Sequence, residues 1–194
     1  YKFFVVLAGL GAGGVAALYN WLLGIAHQGM TENFRMNRLL MWIQPENYSS
    51  GIGYQTVQGL YAIGSGGLFG KGLGKSLQKL GFIPESQNDM IFSIICEELG
   101  LFGAMCIILV FALMLWRIIH IAQNAPDLFG TMLAAGVFAH VAVQVVLNIA
   151  VVTNFIPNTG VSLPFISYGG TASFFLLLEM GIVLNISSKI RLER

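Results

Sequence analysis

The chain has 194 residues, of which 56% are hydrophobic and only 10% charged. An average soluble domain carries about 25% charged residues, so this composition excludes an ordinary soluble globule and points to a membrane protein. The formal net charge of +1 offers no basic surface for a nucleic acid partner.

The chain opens on Tyr1, with neither an initiator Met nor the pattern of a signal peptide. That is expected of a fragment that begins inside a larger membrane domain. Residues 3–25 carry no charge and exceed the roughly 20 apolar residues, at about 1.5 Å each, that a span needs. Gly9 and Gly13 supply a GxxxG spacing for close helix packing. Residues 26–89 are too long for a mere connection. Within them Tyr54, Val57, Leu60, Tyr61 and Ile63 suit a short helix lying in the membrane interface.

The run GSGGLFGKGLG, residues 64–74, implies unusual turns or the close approach of another backbone or a ligand. Its likeness to a phosphate-cradling loop is superficial, and no nucleotide site is expected. Lys71, Lys75 and Lys79 follow at four-residue spacing and share one face if the stretch is helical. They suit either anionic lipid headgroups or a phosphate-bearing substrate. Pro84 ends the preceding element, and Ser86, Asn88 or Asp89 can cap the next helix.

Asp89 reads as such a cap or as a functional carboxylate. Glu97 stands about 80° round the helix from Asp89 and Glu98 about 180°. Charge near lipid is costly, so at least one of these glutamates is expected to meet a basic or backbone partner. Cys96 and Cys106 lie about 15 Å apart along one helix, and a disulfide needs Cα atoms within about 7 Å. Both read as free, buried fillers.

The second span covers residues 90–117. The third, 130–152, carries His140, Gln144 and Asn148 at steps of four, a polar stripe for the bundle interior that serves as helix-to-helix contact or as a functional track. The fourth, 168–187, carries Glu179, which is functional, protonated, or paired with a base outside this chain. No His, Cys and carboxylate spacing suggests zinc. Lys2, Arg117, Lys189, Arg191 and Arg194 all fall on one side of a four-span chain. The bias of basic residues makes that side cytoplasmic and residues 26–89 an extracytoplasmic loop. The fold class is therefore all-α, a single polytopic membrane helix bundle.

Four stretches resemble the SEDS family, the shape, elongation, division and sporulation proteins of the FtsW, RodA and SpoVE type. They are GYQTVQGLYAIGSGGLFGKGLGKSLQKLGFIPESQND (53–89), DMIFSIICEELGLFG (89–103), IPNTGVSLPFISYGGTAS (156–173) and GIVLNIS (181–187). The Pro-Phe-Ile-Ser-Tyr-Gly-Gly core is the most specific. Gln87-Asn88, Asn154 and Asn158 depart from the family's commoner residues and bear on subfamily alone, for which the external loop suggests division or sporulation before elongation.

The resemblance implies the C-terminal four spans of a ten-span protein of the bacterial plasma membrane. It implies a peptidoglycan glycosyltransferase that polymerises lipid II with inversion, partnered by a class B penicillin-binding transpeptidase. The family's external-loop aspartate matches Asp89, the expected base. Lys71, Lys75 and Lys79 are candidates for the leaving charge, and Ser167, Tyr168, Gly169 and Gly170 for the cavity wall. Glu97, Glu98, Glu179, His140, Gln144 and Asn148 are candidates for support. No cofactor is evident beyond a candidate divalent cation. A lipid II flippase and a non-enzymatic scaffold for the transpeptidase are the competing readings.

The topology is checkable. In intact cells a cysteine at Ser50 should react with an impermeant maleimide and one at Asn124 should not; the reverse pattern would overturn the orientation.

Overall fold

The computed structural model describes residues 34–47, 52–80, 83 and 86–190, with isolated positions between 13 and 24. The expected first span, with Lys2 and Gly9, lies outside those residues, as do Pro84, Arg191 and Arg194. Every regular element among the described residues is helical. The chain forms two compact units, residues 1–57 and 58–194, where the sequence suggests one.

In the first unit, α1 (Phe34–Ile43) leads into a 3-10 turn at Pro45–Asn47. Met36 and Met41 pack on the fully buried Leu40. Gln44 ends the helix by donating its N–H to the Leu40 carbonyl at 3.0 Å, and its side-chain carbonyl accepts from the Asn47 amide at 2.8 Å. Pro45 has no N–H with which to continue the ladder.

The helix expected from Tyr54 to Ile63 is present as α2, Ile52–Gly66. In the second unit its packing face is not the large apolar set. Tyr61 is exposed, while Gly59, Ala62 and Gly66 are buried. A Cβ on Gly59 would lie 3.2 Å from Ser93 Oγ and 3.5 Å from Met90 Sδ, and one on Gly66 would overlap the Cys96 carbonyl. Small residues let two backbones come together.

Three further helices, α3 (Ile91–Gln123), α4 (Leu128–Val152) and α5 (Gly170–Ser188), are long and apolar enough to cross a membrane. They match the last three expected spans. Ala134, Val137, Val141 and Val145 of α4 make a buried stripe at helical spacing, packed in one core with Phe92, Phe111 and Ile118 of α3 and Leu176 and Val183 of α5. Other faces are also apolar: Leu109, Leu113, Trp116, Met132, Val146 and Leu177 are exposed. Helices hydrophobic all round belong in a large core or in lipid. At the start of α4 the Asp127 carboxylate caps the helix, accepting the Gly130 N–H at 3.2 Å. Cys96 is buried, but Cys106, expected to be buried, is exposed.

The helix α3 is broken. Gly100 takes φ 70° and ψ −170°, so the bonds that a helix would draw from Leu101 and Phe102 back to Glu97 and Glu98 are not made. The glycine-rich loop replaces all four partners. Lys71 and Gly72 donate their N–H groups to the Glu97 and Glu98 carbonyls, each at 2.9 Å, and Leu101 and Phe102 donate to Gly67 (2.9 Å) and Leu68 (3.1 Å). Buried backbone groups are costly unless paired, and irregular backbone near the membrane survives only where protein covers it. Residues 101–123 are by themselves long enough, at about 1.5 Å per residue, for a hydrocarbon core of about 30 Å.

The break depends on two glycines that no other residue replaces. A Cβ on Gly100 would overlap Gly70 N and the Leu68 carbonyl, and one on Gly70 would overlap the Glu98 carbonyl and Gly100 N. Both also have positive φ. Left-handed backbone costs about 1–2 kcal/mol for an L-residue and overpacking about 1–3 kcal/mol more. Gly100→Ala should therefore destabilise the protein by about 2–5 kcal/mol. Gly136→Ala on α4, where an added Cβ meets nothing, should be neutral or stabilise by up to about 1 kcal/mol. Thermal unfolding in detergent compares the two, and equal melting temperatures would disprove the role given to the insertion.

Candidate functional site

The inserted loop is held from inside by Glu97. Its side chain is fully buried and its Oε1 lies 2.7 Å from Lys71 Nζ. Ser76 Oγ donates to Oε2. The N–H groups of Leu77 and Gln78 approach the carboxylate at 3.3 and 3.4 Å, and Ser65 Oγ lies at 3.5 Å. A buried carboxylate is tolerable when paired and hydrogen-bonded on both oxygens.

This answers the expectation of a partner for one glutamate: Glu97 meets a base and backbone together. It corrects the expected lysine face. Residues 67–77 are turn and bend, with positive φ at Gly67, Gly70, Gly72 and Gly74, so Lys71, Lys75 and Lys79 form no helical stripe. Lys71 is turned to Glu97, Lys75 folds back on Gly72, and Lys79 lines a cavity. Gly74-Lys75-Ser76 has the letters that end a nucleotide P-loop, but Phe69 stands where that motif's first glycine belongs.

Beside the loop lie two adjoining cavities. One, of about 320 Å³, is lined by Lys79, Ser86, Gln87 and Glu98 over an apolar wall that includes Ile91 and Ile94. The other, of about 430 Å³, is lined by Ser167, Tyr168, Gly169, Gly170 and Ser173. Gln87 and Ile91 belong to both. Asp89, half-buried, stands between these two residues in the turn that leads into α3.

That turn is clamped from two sides. The Gln87 carbonyl accepts the Tyr168 N–H at 2.8 Å. The Asp89 carbonyl accepts the Asn148 side-chain amide at 2.8 Å, and the same amide donates to the Val161 carbonyl at 2.8 Å. The wall carrying Tyr168 is itself closed by Ser167, whose hydroxyl accepts from Leu163 N–H at 2.7 Å. The N-cap residue of α3 is Met90, without a side-chain cap bond, one position beyond the expected set of Ser86, Asn88 and Asp89.

The polar stripe on α4 divides. Asn148 is fully buried and tethers loop backbone rather than a neighbouring helix. Gln144 is partly buried. His140 Nδ1 lies 2.9 Å from Glu179 Oε2. The partner of Glu179 is thus on α4 of this chain, where the sequence suggests a proton or a base elsewhere. Ser65 and Ser76 escaped sequence reasoning, which reads Gln87 only as a departure from the family's commoner residues. Isolated Ser and Gln residues carry no spacing signal, and only the neighbouring glycine run marks the region. Among the described residues no group of three His, Cys, Asp or Glu is placed to hold a metal ion.

Removing Lys71 strands the Glu97 carboxylate. Breaking a buried pair costs about 3–5 kcal/mol, and the third of the Lys71 side chain that is exposed lowers this to about 1–3 kcal/mol. Lys71→Met should melt earlier, and Lys71→Met with Glu97→Gln should recover part of the loss. Additive losses would disprove the coupling.

The family model described as "Cell cycle protein" (FTSW_RODA_SPOVE) matches residues 2–192. Stage V sporulation protein E of Bacillus subtilis is 46% identical over 86% of this chain and 45% of its own length. The probable peptidoglycan glycosyltransferase FtsW of Trichlorobacter lovleyi is 44% identical over 82% of this chain and 42% of its own. The chain thus spans a little under half the length of these curated relatives. Two solved structures share the fold. One is a chain from work on a peptidoglycan synthase complex that coordinates polymerization and crosslinking, with TM-score 0.65, 24% identity, and coverage of 94% of this chain and 49% of that one. The other is the rod shape determining protein RodA of Thermus thermophilus, with TM-score 0.53, 22% identity, and coverage of 90% and 65%.

Proposed function

The chain belongs to the FtsW, RodA and SpoVE family of cell cycle proteins, and from that membership we propose that the protein is a peptidoglycan glycosyltransferase of the bacterial plasma membrane that polymerises lipid II with inversion. The observation that carries this reading is the fixed position of Asp89. Its backbone is tied by Asn148, and its neighbours Gln87 and Ile91 line two adjoining cavities. A two-substrate transfer needs two such spaces beside one base.

The Asp89 carboxylate removes the proton from the acceptor sugar's 4-hydroxyl as O4 attacks the anomeric carbon of the donor. The bond from that carbon to the pyrophosphate breaks on the opposite face, so configuration inverts. Asp89 keeps the proton and undecaprenyl pyrophosphate leaves with the electron pair. Lys75 and Lys79, both exposed, supply positive charge for the leaving group. A divalent cation carried by the pyrophosphate would supply the same neutralisation. Tyr168, Gly169 and Gly170 line the second cavity. Lys71 is assigned to the scaffold, because its ammonium is held by Glu97. A class B penicillin-binding transpeptidase is the proposed partner, a reading supported by the chain of similar fold that comes from a peptidoglycan synthase complex coordinating polymerization and crosslinking.

Asp89→Asn tests the chemistry. The Asp89 carbonyl holds Asn148 and Asn keeps the size of the side chain, so the clamp survives and the purified full-length variant should remain folded. A positioned base is worth about 10²–10⁴ in rate, so glycan polymer from lipid II in detergent should fall by that factor. Polymer near the wild-type rate would remove Asp89 from the mechanism. A wild-type protein that flips lipid II in vesicles but makes no polymer would overturn the enzyme reading itself.

A further inference from the structure

We propose that Glu98 is a substrate-binding residue, and that the cavity of about 320 Å³ it lines is a subsite for one sugar ring that carries a pyrophosphate. The inference rests on the glycosyltransferase reading for its ligand, but on an independent observation for its place. Glu98 Oε1 is buried, and none of the described residues donates a hydrogen bond to it. Its neighbour Glu97 is satisfied on both oxygens. Adjacent positions on a helix point about 100° apart. Glu97 faces the inserted loop, while Glu98, whose carbonyl is held by Gly72, lines the cavity.

A buried carboxylate oxygen without a donor is expensive, and such groups mark sites where a ligand supplies what the protein withholds. The surroundings specify the ligand. Ile91, Ile94 and Ile95 make one wall apolar, Gln87 and Ser86 add neutral hydrogen-bonding groups, and Lys79 is the cation. Lys79 is exposed, whereas the Glu98 oxygen is buried, so the positive charge belongs to the solvent side and the unpaired acceptor to the interior. A phosphate beside Glu98 would be repelled. A sugar hydroxyl or acetamido N–H there donates to the carboxylate, while the pyrophosphate on the same ring remains near Lys79. The volume stands at the low end of small-molecule pockets, which run from about 300 to 1,000 Å³, and suits one ring rather than a peptide stem.

The test uses the full-length protein with Asp89→Asn as background, so that binding is read without turnover. Lipid II affinity is measured with and without Glu98→Met, together with thermal stability in the absence of substrate. Losing a hydrogen bond to a charged acceptor should weaken lipid II binding about 10- to 100-fold. The melting temperature should hold or rise, because the change removes a buried oxygen that has no donor among the described residues and keeps volume. Glu98→Gln, which retains a neutral acceptor, should bind between the two. A fall in melting temperature with unchanged affinity would assign Glu98 to the scaffold, and unchanged affinity at unchanged stability would equally overturn the proposal. Weakened binding in a protein whose wild type makes no polymer would leave the subsite standing and reject the enzyme reading alone.

Discussion

The structure around the site depends on one constraint: a broken helix must have its backbone groups satisfied by another segment. Gly100 takes α3 out of helical geometry, and the loop from Gly67 to Gly72 supplies the partners the helix has lost. Backbone bonds are not its only hold. Glu97 reaches into it and gathers Lys71, Ser76 and the N–H groups of Leu77 and Gln78. Sequence, turn geometry and electrostatics are therefore coupled, since the glycines permit the approach and one buried carboxylate holds it.

The consequences reach the candidate site directly. With Lys71 engaged by Glu97, the loop leads through a 3-10 turn at Gln78–Leu80 that places Lys79 on the cavity wall. The Asp89 turn is held by a separate device, the Asn148 amide below and the Tyr168 N–H beside it. A residue required to take a proton in one direction gains from a backbone that cannot drift. Hydrogen-bonded backbone flanks both cavities, and two of the side chains that hold it, Glu97 and Asn148, are fully buried.

The bundle treats its intramembrane polar groups in the same manner. His140 and Glu179 meet across α4 and α5, and each satisfies a group that would be costly alone in lipid. The apolar residues left on the outer faces of α3, α4 and α5 fit a chain whose solvent is lipid and whose family members are about twice its length.

The sequence by itself determined the solvent, the class and the family. Long apolar runs foretold three helices fit to cross a membrane, within two residues at every end but the C-terminus of α3, which runs six residues further, because hydropathy over some twenty positions is a local sum that needs no partner. The specific stretches at 53–103 and 156–173 identified the family, and Asp89 and the Tyr168 region were named from them. Tertiary structure decided the rest. Which of Glu97 and Glu98 would be paired, which lysine would be bound, where Glu179 would find its base and which face of α2 would pack all turn on contacts between distant positions. The angular arithmetic that brought Glu97 toward Asp89 assumes that both stand on one helix, and Asp89 lies in the turn before α3, whose N-cap is Met90. A lone Gly, Ser or Gln carries no periodic signal, so its role appears only when the segment that packs against it is in place.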